Sequence, residues 1–166
     1  MKIILVRHTK AQNRIKALLH RTSDEVRPLT KKGILKFTEL VSKNKKLFLD
    51  TDLFVTSQYL RAIETLDIIL EISGRGANEK LVLKGITPDD APEFLLKWFF
   101  TRKEKKIIIV SHEPFITNFL KKAFKGKWPE QKIRKGAFIF LEFDSATESY
   151  KLLKLVQPKQ EKTKSK

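Results

Sequence analysis

Two short apolar runs that each end at a histidine constrain this chain more than any other feature. Lys2-Ile3-Ile4-Leu5-Val6 ends at Arg7-His8-Thr9, and Lys106-Ile107-Ile108-Ile109-Val110 ends at Ser111-His112-Glu113-Pro114. Apolar β-branched runs of this length, bounded by polar residues, read as strands buried on both faces. Leu53-Phe54-Val55-Thr56 reads as another strand, and Lys80 to Leu83 as a shorter one. Helical periodicity lies between them. Thr30 caps a helix whose inward stripe is Ile34, Phe37, Leu40 and Val41. Ser57 to Ser73 forms a second helix on Leu60, Ile63, Leu66, Ile69 and Leu70, with Gly74 as its stop. A third turns Phe94, Leu95, Trp98 and Phe99 inward, and either Thr87 before Pro88 or Asp90 before Pro92 caps it. Phe115 to Phe124 is a fourth. Ala137 to Phe143 and Tyr150 to Val156 read as an antiparallel pair joined by the turn Asp144 to Ser149. The basic stretch Lys10 to Arg21 is either a short helix or an ordered loop. Strands alternating with helices predict an α/β domain in three layers, α/β/α, with a mixed, mostly parallel sheet.

Composition narrows the function classes. With 166 residues, 41% hydrophobic and 12 Phe, one domain with a real core is expected over residues 1–157. The basic stretch 158–166 holds four Lys against one Glu and is expected to be a disordered tail. The absence of cysteine excludes disulfides, thiolate metal sites and cysteine catalysis, and fits a reducing compartment. No apolar run reaches the length of a signal-peptide core or a membrane span, so a soluble, cytoplasmic protein is expected. The net charge of +16 favours anionic partners: phosphates, nucleic acid or acidic protein faces.

Parallel strands present their carboxyl ends at one edge of a sheet, where open α/β sheets bind ligands. Arg7, His8 and His112 would meet there, joined by Arg61 from the first turns of the helix after Leu53–Thr56. Arginine offers a planar fork of donors to phosphate, and imidazole can attack phosphorus near neutral pH. A neutral imidazole attacking phosphorus, with Arg7, Arg61 and His112 on the three equatorial oxygens, would stabilise the transition state. His20 has no evident partner and reads as a surface residue.

These motifs resemble the histidine phosphatase superfamily, with its phosphoglycerate mutase-like fold. The matching residues are Arg7-His8, Ser57…Arg61-Ala62…Thr65 and Ser111-His112-Glu113-Pro114, in order, over about Met1 to Val156. Arg27-Pro28-Leu29-Thr30…Gly33 and the S-H-x-P form at Ser111 are similar to the small SixA-type phosphohistidine phosphatases. The resemblance implies that His8 is the nucleophile, forming a phosphohistidine intermediate, while Arg7, Arg61 and His112 bind the phosphoryl group. Thr9 and Ser57 complete the expected substrate-binding set. Neither cofactor nor metal is implied.

Three departures stand out. Thr9 replaces the family's glycine and either crowds the pocket or adds a hydroxyl contact. Gln58 stands where proline is common. Lys10 to Glu25 is longer than in small bacterial members. No general acid is obvious, and Asp89 and Asp90 are the nearest candidates, with helix capping as their competing role. The expected substrate is phosphohistidine on a protein, acted on by a monomer. Small phosphate esters or nucleotides are the alternative, and a non-catalytic module binding nucleic acid or phosphorylated partners is a reading from another class.

Overall fold

The computed structural model describes residues 1–159. Six strands form one sheet: β1 (Lys2–Arg7), β2 (Leu53–Thr56), β3 (Lys80–Val82), β4 (Lys106–Ser111), β5 (Phe138–Asp144) and β6 (Ser149–Val156). Their order is β3-β2-β4-β1-β5-β6. The first four are mutually parallel, whereas β5 runs antiparallel to β1, and β6 to β5.

Successive side chains on a strand point to opposite faces, so each central strand feeds two cores. Ile3, Leu5, Ile107 and Ile109 meet Leu95 and Phe99 of α4 (Glu93–Phe100) and Phe115 and Phe119 of α5 (Phe115–Ala123). Ile4, Val6, Ile108 and Val110 meet Phe37 and Val41 of α2 (Lys31–Lys43) and Leu66 and Ile69 of α3 (Leu60–Ser73). The three-layer α/β/α arrangement follows from this alternation. Burying each of these large side chains contributes about 1.5–3 kcal/mol.

The register sets the functional edge. Arg7 pairs with Ser111 and Thr56 with Val110, so β1, β2 and β4 end together. The chain leaves β1 toward α2 on one face and leaves β4 toward α5 on the other. The crevice between those two ends is the switch point of the sheet, where such folds take ligands.

Four details of the helices depart from the periodicity. Ile34 is exposed: the buried line of α2 runs through Gly33, Phe37 and Val41, and Ile34 lies about 60° around the helix from the middle of that line. The second helix starts at Leu60 rather than Ser57, and Leu60 and Ile63 are only half-buried. Phe94 is largely exposed and covers the Gly85 turn, where a Cβ would lie 2.9 Å from its ring. Neither Thr87 nor Asp90 caps α4: the Asp90 carboxylate accepts from the Thr87 amide at 2.7 Å, closing a turn ahead of the helix.

The Lys10 to Arg21 stretch contains a short helix, α1 (Arg14–Leu19), with Ile15, Leu18 and Leu19 turned outward and Ala17 buried. The expected tail begins at Pro158, whose carbonyl accepts from Arg134 at 2.9 Å, while its last residues, 160–166, lie outside the described residues. Among the described residues no helix is long and apolar enough to cross a membrane.

Candidate active site

The edge where β1, β2 and β4 end gathers His8, Arg61 and His112 into one buried cluster. The rings of His8 and His112 are 5.0 Å apart, and Tyr59 packs edge-on against His112 at 5.1 Å. His8, Arg61 and His112 are each under a tenth exposed.

The hydrogen bonds of His8 define its tautomer. Nδ1 lies 2.7 Å from the Thr9 carbonyl, and a carbonyl only accepts, so Nδ1 carries the proton. Nε2 then presents a lone pair, and Arg61 donates its Nε–H to it at 3.3 Å. Burial holds the His8 pKa well below its ordinary value, and repulsion from His112, Arg61 and Arg7 adds to this, opposed by the Thr9 carbonyl. The ring is therefore neutral at pH 7 with Nε2 unprotonated.

Arg61 projects from the first turn of α3, and its guanidinium is held on three sides. Nη1 donates to the Asp24 carbonyl at 2.6 Å, Nη2 to the Asp24 carboxylate at 2.9 Å, and the plane lies 4.7 Å over the Tyr59 ring. Asp24 also accepts from Arg27 Nε at 2.8 Å. Arg27 and Arg61 hold its carboxyl below the usual carboxylate range, against the opposing effect of burial. Thr65, one turn along α3, donates to the Arg61 carbonyl at 2.6 Å and accepts from the Thr9 amide at 3.2 Å, tying the end of β1 to the start of α3.

Arg7 donates one Nη to the Ile133 carbonyl. Its Nε is buried without a partner among the described residues, as are both ring nitrogens of His112. Burial, with Arg61 next, pushes the His112 pKa down to about 3, so this ring too is neutral. Buried polar groups are almost always paired, and unpaired ones point to an absent partner. A tetrahedral oxyanion seated against His8 would accept from Arg7 Nε, from His112 and from the Arg61 Nε–H.

Other expected site residues have different roles. The Thr9 hydroxyl donates to the Gly33 carbonyl at 3.3 Å, so it holds α2 against the end of β1 instead of offering its proton to the pocket. Ser57 is fully buried, and its hydroxyl accepts from the Tyr59 amide at 3.5 Å, shaping the turn into α3. Asp90 closes the turn described above. Asp89 is exposed, close enough to Tyr59 to raise the phenol's pKa, behind burial and Glu25. Asp24 escaped the sequence reading. Its only signal was a carboxylate three residues before Arg27 in a stretch otherwise dominated by cations. Among the described residues no cluster of His, Asp and Glu is placed to hold a metal ion. A concavity of about 770 Å³ opens at the opposite edge of the sheet around Lys2, Asp52 and Phe100 and gathers no comparable chemistry.

A family model for the histidine phosphatase superfamily (branch 1) matches residues 3–83, the half of the chain that carries Arg7, His8 and Arg61. The chain belongs to the histidine phosphatase superfamily. Members of this superfamily are phosphatases, and similar solved structures extend the match over the second half. The protein histidine phosphatase SixA complexed with tungstate has a TM-score of 0.79 at 19% identity, over 95% of this chain and 97% of that one. A putative phosphohistidine phosphatase SixA from Agrobacterium tumefaciens has a TM-score of 0.72 at 17% identity, over 95% and 97%. A phosphoserine phosphatase mutant from Entamoeba histolytica, in complex with phosphoserine, has 0.64 at 15% identity, over 93% and 95%. At these identities the likeness establishes the histidine phosphatase fold. No curated protein matches the sequence.

Proposed function

We propose that this histidine phosphatase removes the phosphoryl group from phosphohistidine carried on another protein, through a phosphohistidine intermediate on His8. The observation that carries the reading is the unprotonated Nε2 of His8, met by the Arg61 Nε–H and beside the unpaired ring nitrogens of His112, with the nearest acid candidates occupied elsewhere or exposed. Nε2 attacks phosphorus in line, and a new N–P bond forms as the substrate's P–N bond breaks. Arg7, Arg61 and His112 take up charge on the equatorial oxygens.

The leaving group decides between substrates. An alkoxide needs a proton delivered in the transition state, a contribution of roughly 10²–10⁴-fold. The departing imidazole of phosphohistidine is protonated at its other nitrogen and leaves neutral. Water then attacks the phosphorus on His8, releasing phosphate and a proton and restoring Nε2. The +16 charge steers acidic surfaces of a second protein toward the chain. A cysteine-free sequence fits a reducing, cytoplasmic setting.

The test compares a phosphohistidine protein, a phosphohistidine peptide and small phosphate esters as substrates of the wild type and of His8→Ala. The wild type is expected to favour phosphohistidine and, on brief reaction with labelled substrate, to carry acid-labile, base-stable phosphate. His8→Ala is expected to fold and to lose both. Full activity in His8→Ala would overturn the mechanism, and a preference for alkyl esters would overturn the substrate.

A further inference from the structure

Beside the candidate active site, a second concavity of about 560 Å³ runs between the start of α2 and the segment 131–135. Its accessible apolar floor is made by the half-buried Leu40 and Pro158, with Phe37 buried among the lining residues, and its walls carry Lys10, Lys132, Lys135 and Lys159 among other cations. Thr9, the residue after His8 in the chain, also lines it.

The segment 133–136 is built into the active-site edge. The Gly136 amide donates to the Arg7 carbonyl at 2.9 Å, and the Ile133 carbonyl accepts from the Arg7 side chain. Lys135 therefore stands where groove and pocket meet. Partial burial, followed by repulsion from Arg7, Arg27, Lys10 and Arg61, lowers its pKa. Cations crowded in this way are stabilised by a bound anion.

We infer that this groove holds an acidic stretch, with one apolar side chain, of the protein that carries the phosphorylated residue, with Lys10, Lys132 and Lys135 setting the preference for acidic flanks. The inference rests on the phosphoprotein reading of the neighbouring pocket. Charge complementarity selects an acidic occupant, and the half-buried Leu40 and Pro158 select one that also brings an apolar group. The floor favours a peptide over nucleic acid: Phe37 is 2% exposed and offers no open ring face on which a base could stack.

The experiment measures binding without turnover. The probe is a short fluorescein-labelled, non-phosphorylated peptide with glutamates around one leucine, compared with a counterpart carrying serines in place of the glutamates. Fluorescence anisotropy is read for the wild type, for Lys10→Glu/Lys132→Glu, and for Lys46→Glu/Lys151→Glu. The last pair makes the same change of net charge at the far edge of the sheet. The groove pair is expected to weaken the acidic peptide by about tenfold or more and the distant pair by less than about threefold. Hydrolysis of free phosphohistidine by the groove pair is expected to stay within about threefold of wild type, since neither lysine touches the reacting atoms. Equal weakening by both pairs would overturn the groove. So would tighter binding of a single-stranded oligonucleotide that the groove pair abolishes. A tenfold gain in peptide affinity on removal of residues 160–166 would make the chain's own terminus the occupant and overturn an intermolecular one. If the wild type hydrolyses no phosphohistidine yet binds the acidic peptide through the groove, the substrate reading fails and the groove stands.

Discussion

Nε of Arg61 lies 3.3 Å from Nε2 of His8, and a guanidinium can only donate. The contact therefore leaves Nε2 of His8 unprotonated, with its lone pair engaged by Arg61. In the proposed mechanism an arriving phosphoryl oxygen takes over the Arg61 N–H and frees the lone pair for phosphorus. Asp24 matters because it holds both remaining nitrogens of Arg61.

Asp24→Asn is expected to lower kcat by about 10–100-fold, as for other side chains that orient a catalytic group through a hydrogen bond. KM should change by less than about threefold, since the cations that attract the phosphoryl group remain. Steady-state kinetics separates the two, and Asp24→Glu should recover part of kcat. An unchanged kcat would show that Arg61 keeps its aim without the carboxylate.

Stability should depend on pH through the two buried imidazoles. Both His8 and His112 have folded pKa values below the unfolded value of about 6.5. Below that pH the unfolded chain binds more protons, so stability is whole above about pH 6.5 and falls as pH drops. The loss from His112 continues down to about pH 3. Each histidine contributes a slope of about 1.4 kcal/mol per pH unit inside its window. Urea unfolding at pH 7.5 and 5 should show the wild type losing about 2 kcal/mol more than His112→Asn, which cannot titrate. Asp24 acts in the same direction only as pH falls from the ordinary carboxylate value of about 3.9 toward its depressed pKa, so pH 5 isolates the histidines.

Asp89→Asn and Asp90→Asn, singly and together, should keep phosphohistidine hydrolysis within about tenfold of wild type, well short of the loss of a general acid. Asp90→Asn should cost about 1 kcal/mol of stability, since its carboxylate closes the turn before α4. The measurement is kcat/KM on phosphohistidine and on an alkyl phosphate. If alkyl phosphates are the better substrates and Asp89→Asn lowers that activity by about 10² or more, then Asp89 is the acid and the protein is an ester phosphatase.

Gly33→Ala should destabilise the fold by about 1–3 kcal/mol and reduce activity with it. A Cβ there would lie 2.4 Å from the Lys10 carbonyl and 3.1 Å from the Thr30 hydroxyl that caps α2. Relief requires the backbone at Lys10 to move, and the Thr9 hydroxyl bonds the Gly33 carbonyl beside it. Thermal unfolding and phosphate-dependent stabilisation together report the effect. Wild-type values for both would show that the loop gives way freely.

Local chemistry was enough to place the strands and the residues at their ends. An apolar β-branched run of four to six residues has few other fates, and parallel strands carry Arg7, His8 and His112 to one edge whatever the loops do. The position of Arg61 followed from its place in the first turns of the helix after Thr56. Exposure within the helices did not follow in the same way. Periodicity puts Ile34 and Phe94 on apolar stripes, but which stripe faces the sheet depends on neighbours distant in sequence, here the Lys10 carbonyl beside Gly33 and the glycine turn beneath Phe94. Polar partnerships were the least legible. Asp24 meets Arg61 across 37 residues, and the Ile133 carbonyl meets Arg7 across 126. Such a bond forms when two distant segments arrive at one place at hydrogen-bonding distance, and nothing in either segment alone records that meeting. The sequence by itself determined which groups could do the chemistry. Tertiary structure decided which donor meets Nε2 of His8, which donors stay unpaired, and which carboxylate steadies the arginine, because each depends on contacts between segments far apart in the chain.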